Sequence, residues 1–384
     1  MKISEALRLT RMKLKQLNLQ NFRNYEKLTI HFNKNINIFI GNNAQGKTTL
    51  LESIYFLAIS KSHKTYRDKE LIKFGSLFSK IACELIKDDS KIKLEIIISP
   101  QGKKVLINEI EKPKISEYIG TFNVVIFAPE DLEIVKGDPA NRRKFIDVEI
   151  GQISPIYIYH LNQYNRILKQ RNEYLKQVVN NRIDYNYLDI VTKQLANHGS
   201  WITQSRNLFI QKLNKYANNL HQYISNFVEH LTITYYSNYA LETNEITPEA
   251  IFSLYRNNYQ RDLIKGNTQL GIQRDDMHFL VNGINVSDFG SQGQQRTTAL
   301  AIKLSLIEFI KNETHYYPIV LLDDVLSELD DVRQTQLLNS ISDKVQTFVT
   351  TTNLSGINDE LIKAADVFLI DNAMILKREG DSNG

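Results

Sequence analysis

The segment from Gly41 to Thr49, with the sequence GNNAQGKTT, constrains the fold of this chain more than any other. It fits the pattern G-x-x-x-x-G-K-[ST], follows the apolar run Ile36–Ile40 and precedes a stretch typical of a helix. The glycines let backbone N–H groups turn inward around phosphate oxygens, and the helix start adds the positive end of its dipole. The sequence therefore predicts a P-loop that binds ATP through Gly41, Asn42, Asn43, Ala44, Gln45, Gly46, Lys47, Thr48 and Thr49.

A second motif supplies the acidic part of the same predicted site. The apolar run 318–322 ends in Asp323 and Asp324, a pattern typical of a buried strand that delivers carboxylates beside a P-loop. Lys47 would neutralise the β- and γ-phosphates, while Thr48 and Asp323 would hold Mg²⁺. Asp324 would orient or deprotonate the attacking water, so the predicted catalytic residues are Lys47, Asp323 and Asp324. The alternative, a strand followed by an Asp-rich turn, weakens once the P-loop is accepted.

A third motif, SQGQQ, lies upstream of the acidic strand and opens a clear helix. Ser291 and Gly293 at a helix start form an anion site from a hydroxyl group, backbone N–H groups and the helix dipole. One chain with one γ-phosphate does not need two such sites, whereas a dimer in which each chain caps the other's ATP does. Taken alone the motif is weak, and an N-capped helix is an equally good interpretation.

The composition limits the function without identifying it. The 384 residues suggest two folding units, or one large domain with an insertion. No run approaches about 20 apolar residues and the start lacks a secretory signal, so we expect a cytoplasmic protein with no membrane contact. Cys83 is the single cysteine, which excludes an internal disulfide. The net charge of +4 permits contact with a polyanion without demonstrating it.

The order of these motifs resembles the ABC-type heads of the SMC and Rad50 proteins, and more closely the RecF family of bacterial recombination mediators. The resemblance implies an α/β fold, namely an ABC-type P-loop ATPase head with a mixed sheet and an inserted helical arm. The segments that carry it are the P-loop and residues 21–25 (NFRNY), 61–65 (KSHKT), 127–132 (FAPEDL), 142–147 (RRKFID), 274–276 (RDD), 291–296 (SQGQQR) and 322–330 (LDDVLSELD).

The resemblance also implies roles for single residues. The signature motif, which would act on the ATP of a partner chain, is Ser291, Gln292, Gly293 and Gln294. Ser327 and Asp330 would belong to a D-loop that crosses the dimer interface. Apolar residues recur at helical spacing over 157–178 and 192–221, which predicts two long helices in an antiparallel insertion. The expected domains are residues 1–11 as an extension, 12–150 as the N-terminal part of the head with the P-loop, 151–230 as the helical arm, and 231–384 as the C-terminal part with the signature, acidic strand and D-loop.

Several positions depart from the related patterns. Gln273 stands where the family usually has a histidine. The second acid is Asp324, where many ABC heads carry glutamate, and the shorter side chain implies slow hydrolysis. Residues 351–353, with the sequence TTN, occupy the place of the transporters' switch histidine. The usual Q-loop glutamine is not obvious, and Glu130 or Asp131 would stand in for it.

The function implied by the resemblance is that of an ATP-dependent DNA-binding protein of recombinational repair and replication-fork maintenance. ATP would form a homodimer that grips double-stranded or gapped DNA and, with RecR and RecO, assists RecA loading on single-stranded gaps in the SOS response. The chain would be a weak DNA-stimulated ATPase used mainly as a switch. The predicted DNA contacts are Lys61, Lys64 and Arg67, because cationic side chains track phosphates. A solvated charged face is the alternative.

Three other functions stay open at this stage. An SMC- or Rad50-like head acting as a structural DNA clamp has long coils as its signature, and this chain lacks them. A transporter ATPase subunit predicts a switch histidine and a membrane partner. An ATP-binding DNA scaffold with negligible turnover differs from the implied ATPase only in its kinetics.

Overall fold

The computed structural model describes residues 12–177, 183–239, 246–326, 345–354 and 359–379, together with the single residues 334, 337 and 341. The strands are β1 (Met12–Phe22), β2 (Tyr25–His31), β3 (Ile36–Ile40), β4 (Ser79–Lys87), β5 (Ser90–Ser99), β6 (Gly102–Ile107), β7 (Ile110–Glu111), β8 (Val124–Phe127), β9 (Leu231–Tyr236), β10 (Asp276–Val281), β11 (Ile284–Asn285), β12 (Ile319–Asp323), β13 (Thr347–Thr351), β14 (Ala365–Asp371) and β15 (Met374–Glu379). The helices are α1 (Lys47–Ile59), α2 (Leu132–Lys136), α3 (Pro139–Gly151), α4 (Pro155–Gln177), α5 (Tyr185–Ile224), α6 (Pro248–Asn257), α7 (Tyr259–Lys265), α8 (Val286–Phe289), α9 (Gln292–Thr314) and α10 (Asp359–Ala364).

The chain divides into two compact units. The first unit is formed by Met1–Asp131 and Lys303–Gly384, and the second by Leu132–Ile302. The first unit contains a six-stranded sheet in the order β15-β14-β3-β13-β12-β8. Neighbouring strands from β14 to β8 are parallel, and β15 is antiparallel to β14.

The parallel sheet of the first unit places the ends of three strands together. β12 (IVLLD) and β13 (TFVTT) are buried along their whole length, the pattern expected of strands covered on both faces. The carboxyl ends of neighbouring parallel strands meet at one edge of a sheet. The turn after β3, Asp323 at the end of β12 and Thr350 near the end of β13 therefore lie at the same edge.

A second sheet in the first unit is entirely antiparallel. Its order is β2-β1-β4-β5-β6-β7, and each neighbouring pair is antiparallel. Alternate residues of β4, including Ile81, Cys83 and Leu85, face the core, as the period-two pattern in this part of the sequence predicts. Burial raises the pKa of the Cys83 thiol, which is consistent with an unreactive core cysteine.

The second unit is built on two long helices. α4 and α5 pack against each other, and α5 also contacts β9 and α6. The three-stranded sheet of this unit has the order β11-β10-β9. Buried charges join these elements: Arg171 pairs with Asp262 at 2.8 Å, and both side chains are 0% exposed.

The long helices lie inside the arm predicted over residues 151–230, but the compact unit that contains them is larger. It includes α3, which contacts β10, and the sheet that packs on α5. The chain is therefore divided at residues 131 and 302, whereas the sequence pattern placed boundaries at 150 and 230. No helix in the described part of the chain is long and apolar enough to cross a membrane.

Candidate nucleotide site

The predicted P-loop forms the turn between β3 and α1. Ala44 and Gly46 have φ of 65° and 108°, so the backbone is left-handed at both positions. A Cβ atom added at Gly46 would lie 2.9 Å from Oη of Tyr25, and this hydroxyl donates to the Gly46 carbonyl at 3.2 Å. Both the backbone conformation and the close contact require glycine at position 46.

The lysine of the motif lies back over this turn. Nζ of Lys47 donates to the carbonyl oxygens of Gly41 at 2.5 Å and Asn42 at 2.8 Å. Burial lowers the pKa of Lys47, and the negative charges of Asp324 and Asp323 act in the opposite direction. The loop thus holds the Lys47 ammonium group among its own carbonyl groups. A phosphate bound in the loop would lie close to this positive charge.

A cavity at this edge of the sheet brings the predicted nucleotide residues together with one of the acids. It is lined by Asn24, Asn43, Ala44, Gln45, Gly46, Lys47, Thr48, Thr49, Asp324 and Thr350. Asp324 has φ of 55°, a left-handed conformation that a non-glycine residue rarely adopts outside Asn and Asp. This turn ends β12 and directs the second acid into the cavity.

The first acid is in direct contact with the P-loop helix. Oγ1 of Thr48 donates to Oδ1 of Asp323 at 2.7 Å, and the hydroxyl of Thr350 donates to the same oxygen at 2.9 Å. Asp323 is only 4% exposed. A threonine hydroxyl and a carboxylate are the hard oxygen ligands that Mg²⁺ prefers, so these side chains fit a magnesium ion.

Thr350 is a site residue that the sequence reasoning missed. Besides its bond to Asp323, its Oγ1 accepts the N–H of Asp324 at 3.0 Å. It therefore fixes both acids from β13, the strand that lies between β3 and β12. The available signal was a hydroxyl residue near the carboxyl end of a buried parallel strand.

The loop after α1 also reaches the acids. Nζ of Lys64 lies 3.5 Å from Oδ2 of Asp323, so this predicted DNA contact pairs with the site acid. Ser62 donates to Glu52 at 2.5 Å and accepts the N–H of Lys64 at 3.0 Å, which shapes the loop. Burial lowers the pKa of His63 to about 4, so its ring is neutral at physiological pH.

The other two predicted DNA contacts are placed differently from Lys64. Lys61 and Arg67 are exposed, and no ion pair is found for either among residues 12–177 or the other described segments. Their cations are therefore available to a polyanion.

The predicted D-loop residues Ser327 and Asp330 lie outside the described residues. Asp131, suggested as a substitute for the Q-loop glutamine, pairs with Lys303 at 3.2 Å.

The signature motif belongs to the second unit and opens α9. Oγ of Ser291 accepts the N–H of Gln294 at 3.2 Å, and Oε1 of Gln294 accepts the N–H of Ser291 at 2.9 Å. This reciprocal pair is a capping box, so the N-capped interpretation is correct for the local structure. Ser291 and Gln292 are exposed and Gly293 is half-buried. Because the Ser291 oxygen serves as acceptor, its own proton remains available for donation.

The parallel sheet, the P-loop and the acids of β12 define the class as an ABC-type P-loop ATPase head. The sequence model of the RecF/RecN/SMC N terminal domain family matches residues 13–374. The Smc head domain of Pyrococcus furiosus has the same fold, with a TM-score of 0.52, 16% identity and 95% of each chain covered.

More similar proteins narrow the class to one family. A protein of Enterococcus faecalis called DNA replication and repair protein RecF is 50% identical over 369 residues, covering 95% of this chain and 98% of that protein. A protein of Latilactobacillus sakei with the same name is 47% identical, covering 96% and 100%. A solved structure described as the recombination mediator protein RecF-ATPrS in the RecFOR pathway has a TM-score of 0.89 and 33% identity, covering 97% and 99%. The chain belongs to the RecF family.

Proposed function

We propose that this chain binds ATP and Mg²⁺ and uses them to form a homodimer that holds DNA. The observation that carries the proposal is the 2.7 Å hydrogen bond between Thr48 and Asp323, which joins the P-loop to the acidic strand. A relative of 33% identity is described in complex with ATP. The proposed dimer is head-to-tail, so that Ser291 and Gly293 of one copy face the γ-phosphate bound by the other.

The proposed hydrolysis assigns a separate task to each site residue. The P-loop N–H groups and Lys47 hold the phosphates, and Thr48 with Asp323 hold Mg²⁺, which neutralises phosphate charge when bound. Asp324 orients a water molecule and accepts its proton as the water oxygen attacks the γ-phosphorus. The bond to the β,γ-bridging oxygen breaks and ADP leaves with that electron pair. Loss of the γ-phosphate removes what joins the two copies, so the dimer opens.

The biological role follows from the family. We propose that the ATP-bound dimer acts in the cytoplasm on double-stranded and gapped DNA and assists RecA loading with RecR and RecO, as part of the SOS response. Relatives named DNA replication and repair protein RecF and the RecFOR description of a solved structure support this. The second candidate is a structural DNA clamp of the SMC kind. The shared head fold favours it, while the 40 residues of α5 would extend only about 60 Å.

Nucleotide-dependent dimerisation is the first expected result. Light scattering should show that ATP doubles the mass of the wild type, while Lys47→Ala and Ser291→Arg stay monomeric. The first variant loses the charge that holds ATP, and the second places a bulky cation where the signature meets the partner. Lys27→Ala and Ser253→Arg change exposed residues of the same types and should dimerise normally. A monomeric wild type would reject the dimer, and dimerisation of both site variants would reject the signature assignment.

DNA binding should depend on the exposed cations after α1. The double variant Lys61→Ala/Arg67→Ala should bind duplex and gapped DNA more weakly in the presence of ATP, because two phosphate contacts are lost. The slope of log affinity against log salt concentration should fall by about 2. Fluorescence anisotropy across a salt series measures both quantities. Lys27→Ala/Lys114→Ala removes two exposed lysines elsewhere in the first unit, and an equal loss of affinity in that control would contradict a specific site.

A further inference from the structure

The position of the signature serine depends on which way the amide of Gln294 faces. In the capping box, Oε1 of Gln294 must face the N–H of Ser291, because the NH₂ end of an amide only donates. The two ends of an amide are nearly equal in size, so sterics alone hardly distinguish them. A second contact is needed to select the orientation that keeps Ser291 in place.

Glu229 supplies this second contact. Nε2 of Gln294 donates to Oε1 of Glu229 at 2.8 Å. A carboxylate only accepts hydrogen bonds, so it attracts the NH₂ end of the amide and leaves Oε1 toward Ser291. The side chain of Glu229 is 20% exposed and therefore mostly buried. A hydrogen bond to a charged group in such a position is stronger than a hydrogen bond between two neutral groups.

The Glu229 side chain lies beside the end of the long helix α5. Nε2 of His221, in the last turn of α5, lies 3.7 Å from Oε2 of Glu229 and 3.4 Å from Oγ1 of Thr298 on α9. His221 is fully buried, and its Nδ1 has no hydrogen-bond partner within the described part of the chain. His221 therefore contacts α9 through Thr298 and lies close to the carboxylate of Glu229.

We propose that Glu229 is a positioning residue for the signature motif. It sets the amide of Gln294 so that Ser291 presents its hydroxyl proton to the γ-phosphate of ATP bound by a second copy of this chain. Glu229 itself contacts no nucleotide and acts through Gln294. This role rests on the ATP-dependent dimer proposed above.

Three substitutions at one position test the amide orientation. Glu229→Gln keeps an acceptor oxygen and should dimerise with ATP within a few-fold of wild type. Glu229→Lys offers only donors, so it turns the amide over and breaks the capping box, and Glu229→Ala leaves the orientation unselected. Loss of one charge-assisted hydrogen bond shifts an equilibrium about tenfold, and two signatures per dimer make the expected loss for Glu229→Lys about a hundredfold.

The readouts separate positioning from folding and from nucleotide affinity. Sedimentation velocity with ATP gives the dimer dissociation constant, titration of each monomer with a fluorescent ATP analogue gives nucleotide affinity, and thermal unfolding reports the fold. We expect Glu229→Lys to weaken the dimer, to leave nucleotide affinity unchanged and to lower the unfolding temperature by no more than a few degrees, because one helix cap is lost. Glu249→Lys, the same substitution at an exposed glutamate of α6, should change none of these three quantities. If Glu229→Lys does not fold, the dimer dissociation constants of Glu229→Ala and Glu229→Gln are compared instead. A weaker dimer for Glu229→Ala than for Glu229→Gln would support the positioning role, and equal dimers would contradict it.

A mixing experiment tests whether Glu229 acts on the ATP bound by the other chain of the dimer. In a mixed dimer of Lys47→Ala and Glu229→Lys chains, the intact P-loop of one chain meets the intact signature of the other, so one complete ATP site is restored. Dimers between differently labelled chains should therefore form with ATP at protein concentrations at which neither variant dimerises alone. Absence of mixed dimers, or wild-type dimerisation of Glu229→Lys, would overturn the role of Glu229. A wild type that stays monomeric with ATP would instead overturn the proposed function, and with it the signature role on which this one depends.

Discussion

Asp324→Asn should lower the ATP hydrolysis rate by about 10²- to 10⁴-fold while leaving ATP-dependent dimerisation intact. An amide cannot accept the proton of the attacking water, and loss of a positioned base costs a rate factor of this size. The substitution should not disturb the fold, because Asp324 has φ of 55° and asparagine tolerates this left-handed conformation as well as aspartate does. Phosphate release measured with wild type and variant, with and without duplex DNA, gives the comparison.

The control for this experiment lies in the same first unit. Asp89→Asn replaces another aspartate with positive φ, on the turn between β4 and β5, and should hydrolyse ATP at the wild-type rate. Equal rates for Asp324→Asn and wild type would show that Asp324 is not the base. A wild type that binds ATP and dimerises without measurable phosphate release would favour a scaffold over an ATPase.

Asp262→Ala should lower the free energy of unfolding of the second unit by about 3–5 kcal/mol, because it leaves a buried guanidinium group without its counter-charge. Arg171 and Asp262 are both 0% exposed and lie 2.8 Å apart. Nε of Arg171 also donates to Thr192, and Oδ1 of Asp262 accepts the N–H of Gln269, so the pair joins α4, α5 and α7. Chemical denaturation followed by circular dichroism measures the loss.

Two further variants test the reason for this loss. Lys169→Ala removes a cation from the exposed i,i+4 pair with Glu173 on the same helix, and should change stability by less than about 0.5 kcal/mol. Arg171→Met/Asp262→Leu replaces the whole buried pair with apolar groups and should recover most of the stability. A double variant as unstable as Asp262→Ala would mean that the hydrogen bonds, not the unpaired charge, account for the effect.

The P-loop turn and the acidic strand could be predicted closely because their signals are local. The glycines, Lys47 and Thr48 lie in one short motif, and Asp323 and Asp324 end one apolar run, so spacing alone indicates their chemistry. Thr350 and Lys64 could not be assigned to the acids in this way. Thr350 lies on β13, between the two motif strands, and Lys64 reaches Asp323 only through the loop after α1. Strand order and loop path are long-range properties that no local pattern encodes.

The signature motif shows that two interpretations of one pattern need not exclude each other. The sequence left open an N-capped helix or an anion site at Ser291. The structure contains the capping box, and the box itself leaves the serine proton free for an acceptor outside the helix. The contribution of Glu229 was not predictable, since it comes from the segment between α5 and β9, 65 positions before Gln294.

The sequence by itself determined the P-loop, the acids at the end of β12, the two long helices and membership in the RecF family, because each depends on residue types at short spacing. Tertiary structure alone decided which side chains hold those acids, where the two compact units divide and which glutamate orients the signature amide. The physical reason is the same in each case. These features arise from contacts between segments far apart in the chain, and such contacts follow from packing and hydrogen-bond satisfaction in the folded protein.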